Sequence, residues 1–233
     1  MNAVAKLAAA FPASRAHTFG AGLLDGRVNI TVVGGNSGSG AQVVRLAAEA
    51  GHAVTCLSRR GSANGSGQVR DLAGDATDPG VVRSAVEGAD AVVITVGGAA
   101  GADRNRAEVT ASIIAAMKAA GVRRLIAHSS LGVGDSMKLM PAPVRVFART
   151  VLGRALADHA EQEAAVEASG LDWTIVRPGG LTDDPATGSY VAQTTAEGRR
   201  MKNRIGRADV AAYILSILED PTSYGKALAM GTL

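Results

Sequence analysis

The string Val32-Val33-Gly34-Gly35-Asn36-Ser37-Gly38-Ser39-Gly40 carries the residue types and spacing best suited to chemistry. A β-branched run leads into it and a helical stretch follows, a context that turns a glycine-rich string into a phosphate cradle. Gly34 would allow the tight turn out of the strand, Gly38 the approach of bare main chain to a pyrophosphate, and Gly40 the close packing of the next helix. That helix aims free N–H groups and the positive end of its dipole at the phosphates. Asn36, Ser37 and Ser39 are the polar members of the loop. The spacing is closer to Gly-x-x-Gly-x-x-Gly than to Gly-x-Gly-x-x-Gly, with Ser37 at the middle glycine. A serine hydroxyl can still donate to phosphate, and Gly38 beside it supplies the flexibility.

The second predicted strand ends Cys56-Leu57-Ser58-Arg59-Arg60. NAD-binding chains usually place a carboxylate about 20 residues after the glycine loop to bond the ribose 2′-hydroxyl. Here Arg59 and Arg60 stand instead, and guanidinium groups pair well with a 2′-phosphate. The expected ligand is therefore NADP(H) rather than NAD(H); the plain alternative is a solvated basic turn. Asp75 and Ala76 follow the third strand, where an aspartate can reach the adenine amino group. Gly97 and Gly98 follow the fourth, where bare main chain can pass beneath the adenosine ribose.

These residues need strands and helices to hold them. Strands are expected over Val28–Gly34, Ala53–Ser58, Val69–Leu72, Ala91–Val96, Arg124–His128, Trp173–Val176 and Ala227–Met230. Helices are expected over Gly38–Ala50, Val81–Glu87 with Asp78 as N-cap before Pro79, Arg104–Ala120, most of 142–169 with Gly170 as C-cap, and Ala208–Leu218. Apolar strands alternating with helices specify a parallel sheet covered on both faces. The fold class is α/β: a Rossmann-type, doubly wound parallel sheet in three α/β/α layers, one domain over residues 28–233, with an N-terminal extension over 1–27. A ligand belongs at the carboxyl ends of the strands. Pro178 to Arg204 lacks clear periodicity and reads as a substrate-covering segment, about residues 178–206, or as an ordinary surface loop.

Composition removes other classes. One cysteine, Cys56, precludes an internal disulfide and a thiolate metal cluster, so no metal is expected. Aromatic residues are 3% of the chain, too few for the stacking platforms of single-strand nucleic-acid binders. The net charge of +3 suits an anionic cofactor and proves little else. Arg199, Arg200, Lys202, Arg204 and Arg207 cluster late in the chain. They read as an attractor of anionic substrate or cofactor phosphate, as a nucleic-acid patch, or as a solvated face; no nucleic-acid motif accompanies them. Lys6 interrupts the apolar stretch near the start, which argues against a cleaved signal, and no run reaches the ~18 apolar residues of a membrane span. A cytoplasmic protein without a membrane or nucleic-acid partner is expected, and the sequons at Asn29 and Asn64 are then coincidental.

The glycine loop, the Gly-Asp-Ala at 74–76, the run His128-Ser129-Ser130-Leu131-Gly132-Val133-Gly134-Asp135-Ser136 and Ser169-Gly170-Leu171-Asp172-Trp173-Thr174-Ile175-Val176-Arg177-Pro178-Gly179 together resemble the atypical short-chain dehydrogenase/reductases. The resemblance spans about residues 28–232 and is strongest to the NAD(P)H-binding branch that includes flavin reductase/biliverdin reductase. It includes Ile205-Gly206-Arg207-Ala208-Asp209-Val210-Ala211, similar to that group's late helix start. Ordinary short-chain enzymes use Tyr-x-x-x-Lys as proton donor. Counting back from Ser169, those positions hold Ala155 and His159, and none of Tyr190, Tyr213 and Tyr224 has lysine four residues on. The resemblance thus implies direct hydride transfer to a small planar acceptor, a flavin, quinone or similar molecule, in a monomer or small homo-oligomer. It implies that Ser130 bonds the nicotinamide amide or the substrate, that His159 lines the pocket, and that Ser129, Pro178 and Gly179 border the nicotinamide. Plainer readings are strand-end caps for Ser129 and Ser130, a surface position for His159, and a simple turn at Pro178-Gly179. A dedicated biosynthetic reductase or isomerase and a non-catalytic sensor of NADP redox state are the competing functions.

Overall fold

The computed structural model describes residues 26–61, 67–97, 105–198 and 201–232. The expected extension (apart from its last two residues), Asn64, Gly98, Arg199 and Arg200 lie outside them. The chain alternates β1 (Asn29–Val33), α1 (Gly38–Glu49), β2 (Ala53–Ser58), β3 (Val69–Ala73), α2 (Pro79–Val86), β4 (Ala91–Ile94), α3 (Arg106–Ala120) and β5 (Arg124–His128). A 3₁₀ turn (Gly134–Leu139) leads to α4 (Ala142–Val151), α5 (Gly153–Glu167) and β6 (Asp172–Pro178). Then follow β7 (Gly180–Thr182), β8 (Tyr190–Gln193), β9 (Arg204–Gly206), α6 (Arg207–Ser216) and β10 (Lys226–Thr232).

The main sheet runs β3-β2-β1-β4-β5-β6-β10-β8, parallel except for β8, which pairs antiparallel with β10. Strand order reverses between β1 and β4, the switch point where an open α/β sheet leaves a crevice. Side chains alternate across the pleat. Ile30, Val32 and Val93 meet Val43 and Ala47 of α1 and Val210 and Ile214 of α6. Val33, Val92 and Ile94 face the other way, onto Val82 of α2, Ile113 and Met117 of α3 and Val166 of α5. Two apolar layers on one sheet give the expected three-layer architecture.

Element ends moved where capping chemistry outweighed periodicity. Asp78 does cap α2, its Oδ1 accepting from Gly80 N at 2.7 Å and Val81 N at 3.1 Å, so the helix starts at Pro79, ahead of its first apolar residue. The region 142–169 is two helices broken at Leu152, and the last of them ends with Ala168 as cap; Gly170, at φ +69°, makes the turn into β6 instead. Pro178–Arg204 is more ordered than its sequence suggests. β7 pairs in parallel with β9 as a separate ribbon, and β8 closes one edge of the sheet. Three- and four-residue strands are too short to display a period.

Candidate active site

The glycine loop sits at the carboxyl end of β1 and opens α1. Gly34 has φ +84°, a left-handed conformation costly to any other residue, and a Cβ there would lie 3.0 Å from the Thr95 carbonyl. A Cβ on Gly40 would overlap Gly34 O and Thr95 Oγ1, so Gly40 lets α1 press onto the β1 turn. Gly35, unremarked in the sequence, is equally constrained: its Cβ would come within 2.8 Å of Cys56 Sγ and Val44 Cγ2. Asn36, Ser37 and Gly38 are exposed, and no acidic side chain occupies the first turn of α1. Ser37 is the N-cap but makes no side-chain cap bond, so the first-turn N–H groups face outward.

Asn36 departs from a simple ligand role. Its Nδ2 donates to Gly61 O at 2.7 Å, tying the cradle to the turn that carries the exposed Arg59 and Arg60. Arg59 also lies near Asp75. The main-chain N–H and hydroxyl of Thr77, each donating to Asp75 Oδ1 at 2.9 Å, hold that carboxyl below the usual range, and the Arg59 charge adds to the effect. Ala76 packs against the core beneath it. Gly97 is exposed with open space where a Cβ would stand.

Helix α5 faces the other half of the crevice. Asp158, His159, Gln162 and Glu163 recur at helical spacing on its inner side: Asp158, Gln162 and Glu163 are buried and His159 is half-buried. His159 is therefore not fully exposed. Two buried ion pairs fix the helix. Arg106 pairs with Asp158 while its Nε donates to Val96 O at 3.0 Å. Arg177 grips both Glu163 oxygens, at 3.0 and 2.7 Å, and reaches Asp135 Oδ1 at 2.8 Å. Ser129 joins this network, its Oγ donating to Glu163 Oε1 at 2.5 Å, and is buried; it braces α5 rather than opening to the crevice. Ser130 is half-buried and makes one weak bond, to Leu131 O at 3.2 Å, so its hydroxyl can be recruited by a ligand. Pro178 ends β6 and its carbonyl accepts from Leu131 N at 2.8 Å. Gly179 is buried, and a Cβ there would meet Asn203 Oδ1 at 2.8 Å, so packing of the strand-β9 lead-in already demands a glycine.

Sequence reasoning passed over His128 as a functional group. It ends β5, its Nε2 is buried without a partner among the described residues, and burial, together with the neighbouring charge of His159, pushes its pKa down to about 4. Gln162 Oε1 accepts from a protonated His159 Nδ1 3.3 Å away, while its Nε2 is buried with no partner among the described residues. Ser39 Oγ and Ser58 Oγ are likewise buried and unpartnered among the described residues. Buried polar atoms are normally satisfied, and a set of exceptions at the carboxyl ends of the strands fits a missing polar ligand. Bare main chain, free helix N–H groups and these orphaned atoms suit a dinucleotide. Cavities of about 400 and 510 Å³ lie at the opposite, amino-terminal end, lined by residues such as Asn29, Val54 and Arg124, away from this chemistry.

The sheet order and the glycine cradle define a class, the Rossmann-type NAD(P)H-dependent oxidoreductases. The profile of the NAD(P)H-binding family matches residues 34–221, and the chain belongs to that family. It is 27% identical over 210 residues to YhfK of Bacillus subtilis (strain 168), described as an uncharacterized sugar epimerase, covering 86% of this chain and 92% of YhfK. It is 30% identical over 154 residues to an NAD(P)H azoreductase of Xenophilus azovorans, covering 64% of this chain and 47% of that protein. Among solved structures, ChuY, an anaerobilin reductase from Escherichia coli O157:H7, superposes with a TM-score of 0.74 at 28% identity, over 88% of this chain and 97% of ChuY. Among the described residues no helix is long and apolar enough to cross a membrane.

Proposed function

We propose that the protein is an NADPH-dependent reductase that passes hydride to a small, planar, conjugated acceptor in the cytoplasm. The observation that carries this reading is the inner face of α5, which offers Ala155 and His159 where ordinary short-chain enzymes hold a tyrosine and a lysine. Without a phenol of lowered pKa, reduction of an isolated carbonyl lacks its usual proton donor. A conjugated ring spreads the arriving negative charge and can be protonated later, by solvent or a nearby imidazole. The names of ChuY and of the azoreductase, one acting on a bilin and one on azo compounds, accord with such an acceptor.

Bound coenzyme supplies the hydride. In this reading the 34–40 loop and the first turn of α1 hold its diphosphate, and Arg59, with Arg60, holds the 2′-phosphate. Ser130 Oγ orients the nicotinamide amide or the acceptor, and Pro178 and Gly179 form the floor beside it. His159 delivers the proton, its ring positioned by Gln162 at 3.3 Å. Residues 178–206 cover the acceptor.

The test is NADPH oxidation against a panel of flavins, quinones, tetrapyrroles and azo compounds. Turnover with at least one acceptor is expected, and His159→Ala should slow it without weakening coenzyme affinity. Tight NADPH binding with no turnover against any acceptor would replace this reading with a redox sensor. The match to YhfK, over 92% of that protein, favours as a second reading an isomerase, which would retain its coenzyme and consume none.

A further inference from the structure

Beyond the cradle itself, the loop 34–40 contains no cation to meet a doubly charged diphosphate. Arg207 lies against it. This residue opens α6, and its Nε and Cδ are 3.6 and 3.9 Å from the point where a Cβ on Gly38 would stand. Its charge is also felt at His128, at the end of β5. Only one of its hydrogen bonds is formed among the described residues, from Nη1 to Asp183 Oδ1 at 2.8 Å. A guanidinium has five N–H donors, so most remain available.

We propose that Arg207 is a ligand of the coenzyme's diphosphate and that Asp183 holds it in reserve until the diphosphate arrives. The inference rests on the coenzyme reading above. Asp183 is a weak holder: its side chain is 89% exposed against 27% for Arg207, so water already solvates the carboxylate. A diphosphate seated at the N-terminus of α1 brings more negative charge and forked acceptor oxygens, which a guanidinium matches better. Exchange of partners leaves the covering segment in place. Asp209, in the first turn of α6, accepts from Thr187 N at 2.9 Å and Gly188 N at 2.8 Å, and Gly206 packs under Asp184 O. The swap therefore moves one carboxylate, not the whole 183–188 loop.

Calorimetric titration of the purified chain with NADPH and with NADH tests this. Arg207→Gln should weaken both dinucleotides alike, by about tenfold or more, because both carry the diphosphate. Asp183→Asn, at an exposed position that tolerates change, should tighten both by roughly two- to fivefold by removing the competitor. Unchanged affinity in Arg207→Gln overturns the assignment, as does a loss confined to NADPH, which would move Arg207 to the 2′-phosphate. Should Arg207→Gln fail to fold, Asp183→Asn decides, and an unchanged or weakened affinity there is refutation. Failure of the wild-type chain to bind either dinucleotide would instead sink the coenzyme reading, and this inference with it.

Discussion

His128→Asn removes an imidazole whose charged form the folded chain resists. Burial, and then the positive neighbours His159, Arg106 and Arg207, place its pKa at about 4 against an ordinary 6.5. In the unfolded chain the ring takes a proton as pH falls through 6.5; in the folded chain it does not do so until about 4. Within that window the unfolded state binds more protons, so stability falls as pH falls. Above 6.5 both states are neutral and the ring contributes no pH dependence. The gap between 6.5 and about 4, at roughly 1.4 kcal/mol per pH unit, amounts to about 3 kcal/mol. Urea denaturation followed by circular dichroism, repeated across the window, measures it. Wild type and His128→Asn should run parallel above 6.5, and wild type should then lose about 3 kcal/mol more than the variant by pH 4. Identical slopes for the two proteins would refute the buried, neutral imidazole.

Three further outcomes follow from packing and charge. Gly40→Ala forces a methyl group into Gly34 O and Thr95 Oγ1 and should cost about 1–3 kcal/mol, seen as a lower melting temperature. Gly67→Ala, with nothing within 4 Å of the new atom, should leave the melt nearly unmoved. Glu163→Ala leaves the buried Arg177 with only the exposed Asp135 as an ion-pair partner and should destabilise by about 2–4 kcal/mol in urea titrations; a loss below about 1 kcal/mol would mean the pair is not buried as described.

What the sequence made legible were features whose partners are close along the chain. The glycine loop, the apolar runs of β1, β4 and β5, and the Asp78 cap each declare themselves within a few residues. The Asn36 bond to Gly61 and the Arg207 contact with Gly38 do not, because they join segments far apart in the chain. Nothing near Glu163 and Asp158 in the chain points to their partners Arg177 and Arg106, which β6 and α3 bring to α5. Short strands such as β7 and β8 owe their existence to neighbours, β9 and β10, rather than to their own alternation. His128 was visible at a strand end, but its missing partner is a property of the packed interior. Of the late basic run, Arg204 lies 3.7 Å from Asp184 and Arg207 turns to Asp183 and the cradle, while Arg199 and Arg200 lie outside the described residues.

The account stands on a diphosphate held at residues 34–40 and a guanidinium at Arg59 that prefers the phosphorylated coenzyme. Isothermal titration of wild type and Arg59→Ala with NADPH and NADH measures both at once. Wild type should bind both and favour NADPH by about tenfold or more, and Arg59→Ala should lose that preference while keeping its grip on NADH. No heat from either nucleotide at millimolar concentration, or an equal loss of both in Arg59→Ala, would contradict it.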